Sequence, residues 1–304
     1  MSFLLRRLGS AAIVLIGVTL VTFGLIQLTG DPLAAMVPPE ASPQTRLLVQ
    51  QELGLDQPLP VQYLRFLTNA VHGNFGNSVR DPVSAMSLVL QRLPNTFELI
   101  GLSLLMALVA GGGLGIVAAW SKLRVIQAVA ETIGLFGQVM PEFWLGVVLI
   151  LLFAVQVRLF PASGHEGLRS LVLPSLTLSA YPLAMIMRLM RSSLLEVRHR
   201  DFIRTANGKG LDPATVLSRH ALRNALIPIV AYLGVQVARL LGGSIIVETV
   251  FGYPGMGLLA VQAIADRDLP IIQAFMVVVA LTVVIASLCS DALVVAVDPR
   301  ISHA

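Results

Sequence analysis

The most distinctive chemistry in this sequence is a run of basic side chains that lies between two strongly apolar stretches. Between positions 188 and 223 there are eight basic residues against three acidic ones. The basic residues are Arg188, Arg191, Arg198, Arg200, Arg204, Lys209, Arg219 and Arg223. Short loops rich in arginine and lysine stay on the cytoplasmic side when a membrane protein inserts. The run therefore predicts a cytoplasmic segment whose side chains are candidates for contact with another protein, not for bond-breaking chemistry.

Glycine, aspartate and proline divide this basic run. Gly208 and Gly210 end one helical pattern, and Asp212 followed by Pro213 supplies an N-cap and a first-turn proline for the next. We expect two short helices joined by a glycine turn. Such a pair outside the membrane has no lipid to bury against, so we expect it to bind a protein partner. The alternative is a solvated basic loop that only fixes the topology.

Two charged residues fall within apolar stretches. Arg239 lies in the middle of one span, and Glu142 follows Pro141 in another. An ionisable group at that depth is costly unless it faces protein, water or a partner. We hypothesise that Arg239 and Glu142 line a translocation pathway and meet the two charged ends of a peptide. The alternatives are a structural pair between them, or pairing of Arg239 with a partner subunit.

Signatures of the common enzyme classes are not found in the sequence. Gly208-Lys209-Gly210 lacks the upstream glycine and the following hydroxyl residue of a P-loop, and His165-Glu166 lacks the second histidine of a zinc protease. No G-x-S-x-G elbow occurs. Cys289 is the single cysteine, so it has no second thiol for a disulfide or a metal. We therefore predict neither an enzyme nor a bound metal or cofactor.

The composition indicates an integral membrane protein. Of 304 residues, 56% are hydrophobic and only 12% are charged, and the mean hydropathy is +0.81. Soluble domains have about a quarter of their residues charged. The pI near 9.7 reflects the cytoplasmic arginines, so we interpret it as a topology signal rather than as a sign of nucleic-acid binding.

Hydropathy predicts an all-α protein with six transmembrane helices. The predicted spans are 8–29, 96–120, 125–157, 171–190, 228–251 and 270–297. The third region is interrupted by Pro141, and we expect one kinked or tilted helix there. A hairpin at Pro141 would make the number of crossings between Lys122 and Arg188 odd and would place them on opposite sides. Six spans with both termini in the cytoplasm is the consistent count.

The spans suggest three parts of the chain. Residues 1–30 form an N-terminal transmembrane helix, residues 31–95 an extracytoplasmic loop with short helices, and residues 96–304 a five-helix core containing the cytoplasmic segment 191–227. In the second span, Gly111 and Gly115 are four residues apart on one face. We expect another helix to approach closely there.

The order of several short motifs resembles the dipeptide and oligopeptide permeases of ATP-binding-cassette (ABC) importers. The motifs are Gly30-Asp-Pro32, Leu53-Gly-Leu-Asp-Gln-Pro58, Arg92-Leu-Pro94, Leu173-Pro-Ser-Leu176, Arg204-Thr-Ala206, Lys209-Gly210, His220-Ala-Leu-Arg-Asn-Ala-Leu-Ile-Pro228, Gly242-Gly243, Val247-Glu-Thr-Val-Phe251, Pro254-Gly255 and Asp298-Pro-Arg300. Related importers in general have a glutamate and two alanines where this chain has Arg204-Thr205-Ala206. That departure resembles the peptide branch of the family.

The resemblance implies a type I ABC importer permease fold and a set of partners. The basic segment would be the coupling loop, which docks on a separate ATPase subunit. The residues carried over to it are Arg204, Thr205, Ala206, Lys209, Gly210, His220, Arg223 and Asn224. The expected partners are a second homologous permease, two ATPases, an extracytoplasmic substrate-binding protein, the peptide substrate and membrane lipid, with no nucleic acid. The location implied is the bacterial inner membrane.

Two other classes of function remain as alternatives. An ion-coupled secondary transporter would often show internal repeats, and none is found between the two halves of the chain. An intramembrane enzyme would need a catalytic pair facing one cavity, which Glu142 alone does not make. Within the permease hypothesis the substrate stays open, because permeases of this kind also carry nickel chelates, glutathione, opines or sugars.

Overall fold

The computed structural model describes residues 2–29, 42–54, 56–121 and 123–297. Three of the motifs fall wholly or partly elsewhere. Gly30-Asp-Pro32, Leu55 and Asp298-Pro-Arg300 lie outside the described residues, as does Lys122. Over the described ranges the regular structure is helical, and the one β-bridge there joins Asn77 to Ser84.

The helices, in chain order, are α1 Ser2–Thr29, α2 Pro43–Leu53, α3 Leu59–Val71, α4 Ala85–Met106, α5 Gly112–Trp120, α6 Arg124–Val139, α7 Glu142–Leu149, α8 Leu168–Arg198, α9 Asp201–Gly208, α10 Pro213–Thr215, α11 Leu222–Ala225, α12 Ile227–Phe251, α13 Met256–Ala265 and α14 Leu269–Val297. Three π-helical turns, Ala107–Gly111, Ile150–Gln156 and Val216–Ala221, follow α4, α7 and α10 without a break.

Four continuous helical segments are long and apolar enough to cross a membrane, counted over the described residues. They are Ala85–Trp120, Leu168–Arg198, Ile227–Phe251 and Leu269–Ser290. The pair α6 and α7, extended by its π-helical turn, gives a fifth if it is one span. Helix α1 has 28 residues and includes the apolar stretch Gly9–Gly24. The all-helical membrane fold is confirmed, whereas the number six stays a prediction.

The region around Pro141 differs from the expected kinked helix. The break occurs at the predicted proline, but the helices on its two sides are bent by 112°. Residues 140 and 141 are extended, and Pro141 has a ψ of 135°. Proline has no N–H to donate and disfavours helical geometry in the residue before it, so the helix stops and a new one starts.

The described residues form two compact units, one of residues 2–96 and 254–285 and the other of residues 97–253 and 286–297. In the second unit, which we call the central unit, α8 is the middle helix. About two-thirds of its most apolar stretch is buried, and it packs against α5, α6, α7 and α12.

Glycines let α5 lie close to α8. A β-carbon on Gly111 would lie 2.5 Å from the carbonyl oxygen of Leu183, and one on Gly115 would lie 2.6 Å from the β-carbon of Met190. Neither position could carry a side chain without moving backbone, so the predicted close approach at these two glycines is confirmed.

The first unit, which we call the N-terminal unit, contains short helices from the predicted outer loop. Helix α3 packs against α1. The hydroxyls of Thr19 and Tyr63 are 3.0 Å apart, and the amide of Gln27 donates to Gln62 at 3.0 Å. The ring of Phe23 contacts Tyr63 edge-on. Aromatic and amide contacts thus hold this part of the loop on the first helix.

Candidate functional site

The segment predicted to be cytoplasmic folds into short helices joined by a glycine turn. Helix α9 ends at Gly208, and Gly210 has a φ of +75°, which favours glycine. The carboxylate of Asp212 accepts a hydrogen bond from the N–H of Ala214 at 3.1 Å, and Pro213 is the first residue of α10. The predicted turn and N-cap are therefore confirmed. The second half is longer than expected, because a π-helical turn joins α10 to α11.

One face of this segment is buried within the chain itself. Ile203, Ala206, Val216, Ala221 and Ala225 are all buried, in one cluster with residues of the C-terminal half of α8. The segment therefore buries apolar surface within the chain, and the binding of a protein partner stays a prediction. Of the α8 side chains in the cluster, Ile186 and Met190 lie within the predicted span 171–190, and Leu194 extends the apolar core beyond it.

The other face of the segment carries most of the predicted coupling residues. Arg204, Thr205, Lys209, Gly210, Arg223 and Asn224 are exposed, His220 is half-buried and Ala206 belongs to the buried cluster. The hydroxyl of Thr205 donates to the carbonyl of Asp201 at 3.0 Å, and the amide of Asn224 donates to the carbonyl of His220 at 2.8 Å. The alternation of buried apolar and exposed polar residues gives α9 and α11 a solvent-accessible face.

The basic residues divide into two groups by their contacts. Those on α8 have partners in the central unit: Arg191 pairs with Glu131 at 2.8 Å, and Arg188 donates to Gln138. Past α8, Arg200 pairs with Glu196 at 2.5 Å. The basic groups of the run that lie beyond position 200 form no ion pair within the described part of the chain; they are Arg204, Lys209, Arg219 and Arg223.

The two charges predicted in the membrane lie near one face of α12. The guanidinium carbon of Arg239 lies 3.3 Å from the centre of the Tyr181 ring on α8, within the range of a cation–π contact. The half-buried Glu142 meets α12 one turn further on, because a β-carbon on Gly243 would lie 2.9 Å from its carboxylate oxygen. No ion pair within 4.0 Å joins Arg239 to Glu142. The direct structural pair is thus not formed in this structure.

A polar stripe runs along the same face of α12, and sequence reasoning missed it. Tyr232, Gln236, Arg239 and Gly243 are spaced by four, three and four residues, so they lie on one side of the helix. The Tyr232 hydroxyl and the side-chain amide oxygen (Oε1) of Gln236 are buried without a hydrogen-bond partner among the described residues. This spacing was visible in the sequence, whereas the contribution of Tyr181 needed the packing of α8 against α12.

An all-helical membrane chain with a polar stripe in one span, and with a basic helical segment outside the spans, has the features of a transport protein. No group of three potential metal ligands lies among the described residues. The chain belongs to the family of binding-protein-dependent transport system inner membrane components: that family's model matches residues 111–303, and the model of its N-terminal part matches residues 1–100. It is therefore a multi-pass inner-membrane permease of an ABC importer, with a role in transport rather than in catalysis.

Similar proteins cover nearly the whole chain. A probable peptide ABC transporter permease of Sinorhizobium fredii is 37% identical over 99% of both chains. A di/tripeptide transport system permease of Pseudomonas aeruginosa is also 37% identical, over 100% of this chain and 99% of its own. An inward-facing structure of the MetNI methionine ABC transporter matches with a TM-score of 0.59 at 20% identity, over 70% of this chain and 97% of that one. The last match shows the type I importer fold. Importers of this family work with an ATPase and a substrate-binding protein.

Proposed function

We propose that this chain is one of two permease subunits in an ATP-driven importer of dipeptides and oligopeptides. The peptide substrate is inferred from the names of the two full-length relatives, both of which are peptide permeases. The observation that carries the assignment of the coupling surface is the outward face of α9 to α11. Four basic side chains there form no ion pair within the described part of the chain, and the face is held by a buried apolar stripe.

The proposed assembly contains a second homologous permease, two ATPase subunits and an extracytoplasmic binding protein that delivers the peptide. The segment 191–227 would face the cytoplasm, residues 31–95 would lie outside, and both termini would be cytoplasmic. If α6 and α7 together make one span, Lys122 and Arg188 lie on the same side, as the positive charges of both require. A re-entrant pair would put them on opposite sides.

The structure supports a mechanical route from the coupling segment to the membrane. The buried stripe of α9 to α11 packs on the C-terminal half of α8, so a force on this segment acts directly on α8. Helices α5, α6 and α12 pack along α8, and α12 carries the polar stripe. ATP binding would close the ATPases, and the segment would convert that closure into a rocking of the spans that exposes the pathway to alternate sides.

In this proposal the polar stripe on α12 contacts the substrate. Arg239 would bind the peptide carboxylate through charge-assisted hydrogen bonds, and Glu142 would bind the terminal ammonium. Helix α7 begins at Glu142, which places the carboxylate in the first turn. The buried unpaired oxygens of Tyr232 and Gln236 add hydrogen-bonding capacity on the same face. The ring of Tyr181 would hold the guanidinium in place.

The glycine turn gives the sharpest test of the coupling surface. A Gly210→Asp variant puts a β-carbon where φ is +75°, which costs about 1 kcal/mol and moves the exposed face of α9 relative to α10. Apart from the adjoining residues, no atom of the described part of the chain lies within 4 Å of that β-carbon position, so the membrane part is expected to fold normally. We expect normal amounts in the membrane with ATP-driven dipeptide uptake abolished.

The matched control is Gly208→Asp, which adds the same charge two residues away. Gly208 has no positive φ, and outside its own helix no described atom lies within 4 Å of its β-carbon position. It is expected to keep most of the uptake. Normal uptake by Gly210→Asp would refute the coupling role. Uptake driven by an ion gradient without ATP would instead favour the secondary transporter. ATP-driven uptake of glutathione, a nickel chelate, an opine or a sugar but not of dipeptides would keep the permease and replace its substrate.

A further inference from the structure

A mixed polar and apolar cavity of about 520 Å³ lies in the N-terminal unit, well away along the chain from the coupling segment. We call it the outer groove. Its lining includes Phe66 and Asn69 of α3, Asn74 and Asn77 of the following loop, and Pro270 and Gln273 of α14. Its volume is in the range of about 300–1,000 Å³ that small-molecule sites occupy.

One wall of the outer groove is the outer edge of the β-bridge between Asn77 and Ser84. The N–H of Ala85 donates to Gly76 at 3.0 Å, and the N–H of Ser78 donates to Val83 at 2.9 Å, which makes Asn77 and Ser84 an antiparallel pair without mutual hydrogen bonds. In such a pair the main-chain N–H and C=O of each residue point away from the partner strand. Both main-chain groups of Asn77 therefore face outward, and neither has a hydrogen-bond partner among the described residues.

This edge is held rigidly at its next residues. Asp268, which is 2% exposed, accepts hydrogen bonds from the Ser78 hydroxyl at 2.5 Å and from the Val79 N–H at 3.0 Å. The same carboxylate accepts from the N–H of Ile271 at 3.3 Å, in the first turn of α14. The edge is thus fastened to α14, and a ligand that pairs with it does not have to order it first.

The polar groups in the groove are neutral. Asn69, Asn77 and Gln273 offer side-chain amides with two donors and an acceptor each, and Asn74 offers its amide donors while its oxygen accepts from the Gly76 N–H at 3.1 Å. The carboxylate of Asp268 is buried and already hydrogen-bonded, so it offers no free charge. A ligand suited to this lining is uncharged where it binds and alternates donors with acceptors. Phe66 and Pro270 add apolar surface for a side chain.

We propose that the outer groove binds the middle of an extended peptide by strand addition, with one peptide residue exchanging two main-chain hydrogen bonds with Asn77. The ligand is the transported peptide on its way to the membrane pathway, so this inference rests on the proposed function. The peptide groups, not the charged ends, are recognised here. The groove therefore complements a pathway that reads the charged ends at Arg239 and Glu142.

The test uses the complete transporter in proteoliposomes and a peptide that alkylates cysteine. Cys289, the chain's single cysteine, is first replaced in a Cys289→Ser background. Asn69→Cys then places a thiol in the groove, and Gln262→Cys on α13 places one on an exposed position outside it. The probe is N-bromoacetyl-trialanine amide. We expect it to label Asn69→Cys at least about tenfold faster than Gln262→Cys, since roughly two hydrogen bonds hold it there.

Competition distinguishes strand addition from simple trapping. Acetyl-trialanine amide is expected to suppress the labelling of Asn69→Cys, whereas the analogue N-methylated at its central residue is expected to do so at least about tenfold less well, because it has lost the N–H that pairs with Asn77. Equal labelling at the two cysteines, or equal competition by the two peptides, would overturn the proposal. The proposal would also be overturned if the substrate-binding protein, and neither competing peptide, protected Asn69→Cys from labelling.

Uptake and labelling, measured in the same proteoliposomes, test the transport function and the groove separately. ATP-driven uptake of trialanine is measured in the same proteoliposomes before any labelling. If trialanine is imported and the two competitors act alike, only the groove is wrong. If the N–H-dependent competition is present but no peptide is imported, the groove stands as a peptide site and the transport function is wrong.

Discussion

The proposed coupling segment, residues 191–227, and the polar stripe on α12 use polar residues in opposite ways. In the segment the buried positions are apolar, and the functional candidates Arg204, Lys209 and Arg223 point outward. On the stripe the polar atoms of Tyr232 and Gln236 are themselves buried. A surface that binds a partner leaves the fold largely independent of its functional side chains. A pathway built between packed helices makes function and packing depend on the same residues.

This difference predicts how the two regions respond to substitution. Changes on the outer face of α9 to α11 should alter coupling while leaving the amount of folded protein unchanged, since those side chains make few contacts within the chain. Changes on the stripe should alter which peptides are carried. Both regions contact α8: Arg239 of the polar stripe lies over the ring of Tyr181, and the buried face of the segment shares a cluster with Leu194.

The largest effect is expected where α5 packs closely against α8. In Gly115→Leu the added β-carbon alone would lie 2.6 Å from the β-carbon of Met190 and 2.7 Å from the carbonyl oxygen of Met187. We therefore expect a loss of about 3 kcal/mol or more of stability. Because both regions contact α8, ATPase binding and peptide uptake should be lost together. The measurement is the thermal stability of the purified chain in detergent. Gly113→Leu is the control, because outside its own helix no atom among the described residues lies within 4 Å of its β-carbon position. An equal loss of stability in the two variants would contradict the packing account.

An intermediate effect is expected at the stripe. Arg239→Gln removes the charge that would bind the peptide carboxylate, so uptake of a dipeptide acid should fall at least about tenfold while uptake of the C-terminally amidated dipeptide stays nearly unchanged. ATPase binding should be retained. A structural role would lower both uptakes equally, and undiminished uptake of the acid would remove the pathway role. Tyr181→Phe keeps the ring under the guanidinium and should behave as the wild type.

The smallest effect is expected at the N-cap of α10. Asp212→Ala removes the hydrogen bond to the Ala214 N–H and should cost about 1 kcal/mol. Hydrogen exchange at Ala214 should then be roughly fivefold faster, with uptake reduced by a similar or smaller factor. Asp212→Asn keeps an oxygen that can accept the bond and is the control. Complete loss of uptake in Asp212→Ala would contradict this account, because it would mean that the N-cap, and not the buried cluster with α8, holds the segment in place.

Much of the coupling segment was predictable because its signals are local. A glycine with positive φ, an aspartate before a proline and a basic excess each act over a few residues, and the turn at Gly210 and the cap at Asp212 were found where the sequence placed them. The close approach at Gly111 and Gly115 was also predictable, since one face of a helix follows from its period.

The parts that the sequence did not predict depend on contacts between distant residues. Burial of Ile203 and Val216 against Leu194 needs the return of the segment onto α8, which no short pattern encodes. The 112° bend at Pro141 is similar, because a proline marks a break without fixing its angle. The stripe from Tyr232 to Gly243 was present in the spacing, but only its charged member, Arg239, was predicted, because Tyr232 and Gln236 are uncharged.

The most direct test of the central claim, that the exposed face of α9 to α11 docks an ATPase, is co-purification. The tagged chain is solubilised gently from its native membrane, and the proteins that accompany it are identified by mass spectrometry, in parallel for the wild type and Gly210→Asp. The account predicts a second permease and two ATPases with the wild type, and the permease without the ATPases for Gly210→Asp. Recovery of the ATPases in equal amount with both chains, or recovery of the wild-type chain alone from a preparation that keeps other complexes intact, would contradict it.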